Sequence, residues 1–280
     1  MKGKVCIVTG SSTGIGYATA LSLAKDEAQV VMVCLDEERS KQSKQEIIEK
    51  SGNSQVELIF CDLSELEQVR KAAKRIKEKH SHINVLINNA GRLTPKRMEN
   101  SQGIELTFAT NYLGHVLLTD LLLNELKAGA PSRIINVSSG GHGNARIDFD
   151  DLNLKNNFST WRAYQHSKLA QLFFTYELAE QLQSFGITVN ALQPGGVRTE
   201  AGKNLPPVGK FFARLLLPIF GISAEKGAKT TLYLATSSDV EGKTGKFFEY
   251  CRESKTSKYS YHLDIRKKLW EVTQELIKLK

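Results

Sequence analysis

The sequence predicts a doubly wound α/β domain, a seven-stranded parallel sheet with helices on both faces, on two observations. Short, continuously apolar runs alternate with helical patterns along the chain, and no linker, repeat or low-complexity tract interrupts them. Apolar runs without polar alternation mark strands buried on both faces of a parallel sheet. Their alternation with helices implies βαβ units with right-handed crossovers. A single domain is therefore expected over residues 1–280.

The strands are expected at KVCIVT (4–9), QVVMVCL (29–35), QVELIFC (55–61), INVLIN (83–88), RIINVS (133–138), ITVNALQ (187–193) and Gly245 to Tyr250. Helices are expected from Ile15 onward, near 37–51, over 65–80, as one long element over 101–128, and from 158 to 185. The irregular region is 200–224, EAGKNLPPVGKFFARLLLPIFGISA, where prolines surround an apolar centre.

Composition narrows the class. Hydrophobic residues make up 41% and charged residues 24%, the balance of a soluble globular chain that can bury a core without staples. The cysteines Cys6, Cys34, Cys61 and Cys251 form no CxxC pair. That disfavours a disulfide framework or a metal site and suits a reducing, cytoplasmic setting. No run reaches the ~18 apolar residues of a membrane-spanning helix. The first strand pattern opens at Lys4, so no signal peptide is expected. The net charge is +8, with its densest basic run at RKAAKRIKEK (70–79). That run reads as a solvated helix face, the other reading being contact with an anionic membrane surface. No nucleic-acid motif accompanies it.

The stretch TGSSTGIG (9–16) follows the first strand and opens a helix, with glycines at Gly10, Gly14 and Gly16. Glycines there allow a tight turn and close approach of a ligand to backbone. The free amides of the helix N-terminus attract a diphosphate. Farther along, RAYQHSKLAQ sets Tyr164 and Lys168 four residues apart, on one face of a helix.

The glycine spacing resembles the TGxxxGxG motif of the short-chain dehydrogenase/reductase superfamily, and the resemblance continues in order along about 190 residues. Asp62 in FCDL, NNAG at 88–91, Asn111 in NYLG, NVSS ending at Ser139, YQHSK, and PGGVRT at 194–199 each match a motif of that superfamily. Within it, NYLGHVLLT, NVSSGGHG, YQHSKLAQLFFTYELA and KLWEVTQEL look most like the retinol dehydrogenase group. The resemblance implies a Rossmann fold, NAD or NADP as cofactor, and Ser139, Tyr164, Lys168 and Asn111 as catalytic residues. It implies cofactor contacts from Gly10, Ser12, Thr13, Gly14, Ile15, Gly16, Asp36, Asp62, Leu63, Asn89, Ala90, Gly91, Pro194, Gly195, Val197 and Thr199, together with Tyr164 and Lys168.

Such chemistry suits these residues. Hydride transfer to or from a carbon needs a proton partner at the substrate oxygen, and a tyrosine with its pKa of ~10 works near neutrality only if a nearby cation favours the phenolate. Lys168 is expected to supply that cation and to hold the nicotinamide ribose. Ser139 would hydrogen-bond the substrate oxygen, with Ser138 the neighbouring competitor. Asn111 would hold a water linking Lys168 to solvent. His142 and His166 flank these residues and are expected as pocket wall or surface rather than as bases. A hydrolase reading lacks the GxSxG elbow.

The second strand ends in VCLDEER. In the retinol dehydrogenase relatives an arginine commonly stands where Leu35 is and supports NADP. In NAD-preferring relatives an aspartate commonly stands at the Cys34 position. This chain has neither. Asp36 is left either to reach a ribose hydroxyl or to cap the next helix, with Arg39 and Lys41 as phosphate partners if the loop bends back. The balance leans to NAD or dual use. Residues 200–224 are expected to cover the substrate, read as a lid, as core packing, or as an amphipathic helix on a membrane. The expected substrate is a lipophilic alcohol or its carbonyl partner. The alternatives are a broad carbonyl reductase for small aldehydes and ketones, or a cofactor-sensing binding protein. The long helices at 101–128 and 158–185 would pair in a homodimer, as in many relatives.

Overall fold

The computed structural model describes residues 1–194 and 223–278. Gly195, Val197, Thr199 and nearly all of the 200–224 segment lie outside the described residues. The sheet runs in the order β3-β2-β1-β4-β5-β6-β7-β8. Its strands are β1 (Val5–Thr9), β2 (Gln29–Cys34), β3 (Val56–Phe60), β4 (Val85–Asn88), β5 (Ser132–Val137), β6 (Ile187–Gln193), β7 (Phe247–Glu249) and β8 (Arg252–Ser254). All seven expected strands form and pair in parallel.

An eighth strand was not foreseen. β8 folds back antiparallel on β7, with Phe247 opposite Ser254. Tyr250 and Cys251 take left-handed φ values of 48° and 61° between them, the two-residue turn that matches strand twist. The sequence RES carries no apolar run because this edge strand is largely exposed.

Period two divides the strands between two cores. Val5 and Ile7 face one side, with the helices α3 (Leu66–Lys79), α4 (Leu106–Leu121) and α6 (Thr160–Leu182). Cys6 and Val8 face the other, with α1 (Gly14–Lys25), α2 (Glu37–Ser51) and α7 (Ala224–Thr236). On α3, Leu66, Val69, Ala72, Ala73 and Ile76 are buried and Lys71, Lys74 and Lys77 are exposed. Its basic run is thus a solvated face.

The helix expected over 101–128 is shorter and broken. α4 begins at Leu106, where the buried Glu105 carboxylate accepts from the amides of Thr107 and Phe108 at 2.9 and 2.7 Å. Residues before it turn back on themselves, with Glu99 bridging to Glu105 and Gly103 at a φ of 73°. α4 comprises Leu106–Phe108, a π-helical turn Ala109–Leu113, and Gly114–Leu121. A break at Leu122 separates it from α5 (Leu123–Ala128).

The helices α4 and α6 pack in part against the C-terminal end of the chain. The C-terminal helix α8 (Leu263–Leu276) lies across them. Tyr112 and Thr273 share a buried hydrogen bond of 2.8 Å, Trp270 stacks on Phe174 at 6.3 Å, and Arg266 binds Glu180 at 2.6 Å. Among the described residues no helix is long and apolar enough to cross a membrane.

Leu269 anchors α8 with 1% exposure. Leu269→Ala should lower stability by about 2–5 kcal/mol in urea unfolding. A loss below about 1 kcal/mol, the size of a surface change, would mean that α8 is not docked on this core.

Candidate active site

The strand order reverses between β1 and β4, the place where doubly wound sheets bind ligands outside their carboxyl ends. A cleft of about 600 Å³ opens there. It is lined by Gly10, Ser12, Thr13, Gly14, Ile15 and Gly16, by Leu35, Asp36 and Arg39 after β2, and by Asp62 and Leu63 after β3. Asn89, Ala90, Gly91 and Arg92 after β4, Tyr164 and Lys168 on α6, and Pro194 after β6 complete it.

The glycine loop fits a diphosphate. Gly10 and Gly14 take φ values of 65° and 58°, which side chains resist. A Cβ on Gly10 would stand 2.8 Å from the Cα of Ala90, and one on Gly16 would collide with the carbonyl of Gly10. The loop is therefore pressed against the turn after β4 and leaves the cleft open. Thr13, the N-cap of α1, makes no side-chain cap bond, and the first turn holds no acidic residue. By contrast, Asp36 and Ser159 cap α2 and α6. The first amides of α1 thus keep donors for an anion.

Thr9 joins these parts. Its hydroxyl oxygen accepts from the amides of Asn89 and Ala90, each at 2.9 Å, and meets His115 Nε2 at 3.0 Å. Asn89 donates from Nδ2 to the carbonyls of Thr9 and Gly10 at 2.8 and 3.3 Å. Its side chain therefore braces the loop. Asp62 accepts from the amide and hydroxyl of Ser64 at 2.9 and 2.6 Å and lies 3.9 Å from Arg92. Asp36 caps α2 by accepting from Arg39 N at 3.0 Å and also lines the cleft. Lys41 is paired with Glu37 at 2.8 Å.

Tyr164, Lys168 and Ser139 come together across 25 residues of sequence, 164 − 139. The Ser139 side chain stands close enough to the Tyr164 hydroxyl to favour its phenolate, and Ser139 Oγ accepts from Gly141 N at 3.2 Å. Ser138 is buried and donates to the Lys168 carbonyl at 3.0 Å, so the competing serine is structural.

Burial raises the pKa of the Tyr164 phenol and outweighs the lowering by Ser139. Lys168 Nζ donates to the Val137 carbonyl at 2.8 Å and to Gln171 Oε1 at 2.9 Å, and lies 5.7 Å from the tyrosine ring centre. Burial lowers its own pKa to about 7, because the site desolvates the ammonium. Asn111 binds the Arg92 backbone and Ser167. Its Oδ1 accepts from Arg92 N at 2.7 Å, and its Nδ2 donates to the Arg92 carbonyl at 3.1 Å and to Ser167 Oγ at 3.0 Å. It sits in the π-helical turn of α4, a distortion frequent at functional sites.

His166 is buried and stacks on Phe108 at 5.0 Å. His142 is buried behind Ser139. The sequence reading missed Thr9, Ser167, Gln171 and His115. All four lie inside the quoted motifs; Thr9, Ser167 and His115 have partners distant in the chain, which spacing could not reveal, whereas Gln171 meets Lys168 three residues away.

The family model for short chain dehydrogenase matches residues 4–208. Retinol dehydrogenase 13 of Mus musculus is 39% identical over 282 aligned residues, covering 99% of this chain and 84% of the relative. Retinol dehydrogenase 11 of Mus musculus is 38% identical over 279, covering 100% and 88%. Among solved structures, an uncharacterized protein from Mycobacterium paratuberculosis superposes with a TM-score of 0.80 at 29% identity, covering 100% of this chain and 95% of that one. A short chain dehydrogenase from Shigella flexneri complexed with NADP superposes at 0.67 and 25%, covering 89% and 97%.

The pKa of Lys168 yields a signed prediction. Its folded value of about 7 lies below the 10.5 of a free lysine, so the unfolded chain holds the extra proton between those two values. Burying Lys168 therefore opposes folding most below pH 7, and the opposition fades as pH rises toward 10.5. In the cofactor-free protein, the stability difference between Lys168→Met and the parent should move in the parent's favour across that window. A difference constant with pH would show that the amine is not desolvated.

Proposed function

The chain belongs to the short-chain dehydrogenase family of NAD(P)-dependent oxidoreductases, and on that premise we propose that it transfers hydride between a nicotinamide cofactor and a lipophilic alcohol or its carbonyl partner. The observation that carries this reading is the meeting of an open glycine loop and the Tyr164–Ser139 pair in and beside one cleft at the sheet's switch point. The cofactor, when bound, supplies the hydride acceptor or donor.

The protein's residues do the rest. The amides of α1 and the glycine loop hold the diphosphate, with Asp62 and Leu63 toward the adenine and Asn89, Ala90 and Gly91 toward the nicotinamide. Pro194 borders the same end, and Gly195, Val197 and Thr199 are proposed to follow it. Ser139 donates to the substrate oxygen and holds the reacting carbon in place. Tyr164, a neutral phenol by burial, donates its proton to that oxygen as a carbonyl is reduced. Alcohol oxidation runs the proton the other way, and a cationic Lys168 favours the phenolate it requires. Asn111 keeps the Arg92 backbone in position.

Two observations favour a lipophilic substrate. Trp161 is 54% exposed and stacks on Tyr164 at 5.6 Å, which sets a broad apolar surface beside the proposed acid. The relatives of Mus musculus are named retinol dehydrogenases. The 200–224 segment is proposed to cover this side. For the cofactor we propose use of both NAD and NADP. No basic side chain stands at Leu35 or Thr13, whereas Arg39 lines the cleft near them.

Tyr164→Phe, assayed with a long-chain or polycyclic alcohol, should cut turnover by ~10² or more while cofactor affinity holds. Unaltered turnover would reject the acid/base role. Titration by fluorescence transfer should give similar affinities for NADH and NADPH, and a strong preference for either would overturn dual use.

A further inference from the structure

We propose that two buried histidines, His115 and His142, are positioning residues of this site, each held as the neutral tautomer with its proton on Nδ1. The inference rests on the reading above for the roles of Ser139 and Asn111, and on geometry for the rest.

His142 Nδ1 lies 2.6 Å from the carbonyl oxygen of Ser139. His115 Nδ1 lies 3.0 Å from the carbonyl oxygen of Asn111. A carbonyl oxygen can only accept, so in both rings Nδ1 carries the proton. The opposite nitrogens agree. His142 Nε2 faces the amide of Ser257 at 3.4 Å, a group that can only donate. His115 Nε2 faces the Thr9 hydroxyl at 3.0 Å, whose oxygen already accepts from two amides. That hydroxyl therefore directs its proton to the histidine, with the Ile87 carbonyl at 3.3 Å as the more distant alternative. In each ring a second proton on Nε2 would point at a donor.

The two rings are thus built alike. Each clamps the main-chain carbonyl of a residue beside the chemistry and ties it to a distant part of the chain. His142 connects the Ser139 turn to the segment before Tyr259, and an edge contact with Phe247 at 5.4 Å holds its plane. His115 connects the π-helical turn bearing Asn111 to the end of β1. Both are at most 5% exposed. Burial lowers both pKa values, that of His115 to about 3, which keeps the rings neutral near pH 7. The orientation of the Ser139 hydroxyl toward Tyr164 follows from its own backbone, and His142 holds that backbone through the carbonyl.

Long-range proton–nitrogen NMR on ¹⁵N-histidine-labelled full-length protein near neutral pH is the direct test. Two of the six histidines should show a protonated Nδ1 and a bare Nε2, each signal assigned by its loss in His115→Asn or His142→Asn. An Nε2–H tautomer or a cation at either ring overturns the proposal. Activity supplies the second test. His142→Leu should lower kcat by roughly 10- to 100-fold with cofactor affinity unchanged. His142→Asn keeps a donor at the Nδ1 position and should restore most of that loss. Full activity in His142→Leu, or no rescue by asparagine, also overturns the proposal. If Tyr164→Phe leaves turnover intact, the assigned function fails by itself, and the tautomers measured in the unmodified protein still decide this inference.

Discussion

One buried hydroxyl holds the cleft in shape. Thr9 ends the interior strand β1, and its oxygen gathers the amides of Asn89 and Ala90 and meets His115 Nε2. Those amides open the turn after β4, so the glycine loop and that turn are tied at a single atom. Asn89 returns the tie through the carbonyls of Thr9 and Gly10. Gly10 and Gly16 then have no room for a side chain. The empty space of the cleft exists because the backbone around it is packed without slack.

Burial also sets the electrostatics. Within one turn of α6 the site half-buries a phenol and buries an amine. Desolvation disfavours whichever form is charged, so the tyrosine moves up and the lysine moves down. Left to itself the phenol is neutral close to pH 7 and the amine is divided between its two forms. The lysine's place against the Val137 carbonyl and Gln171 keeps its proton, when present, hydrogen-bonded. A site poised in this way gains most from any partner that brings charge or hydrogen bonds with it.

Much of this was legible beforehand. Val5–Thr9 is apolar at every position but its last and is buried throughout, so its place at the centre of a parallel sheet followed from composition. Tyr164 and Lys168 share a helix face because residues four apart always do. The expected helix over 101–128 failed at its start because Glu105 can cap a helix only when the chain before it turns back, and periodicity does not register such a turn. β8 failed to register because an exposed edge strand needs no apolar pattern. Spacing put Lys168 beside Tyr164 but says nothing of solvent, so the desolvation that raises the pKa of one and lowers that of the other was not legible.

The sequence by itself determined the order of strands and helices, the glycine loop and the side chains beside the cleft, because each rests on local periodicity or on a short motif. Only the tertiary structure decided which serine faces the tyrosine, what Asp36, Asn89 and Asn111 hold, how α8 covers α4 and α6, and where the protons of His115 and His142 reside. Those outcomes depend on hydrogen-bond partners dozens of residues apart and on the exclusion of water, and both arise only when the chain is packed.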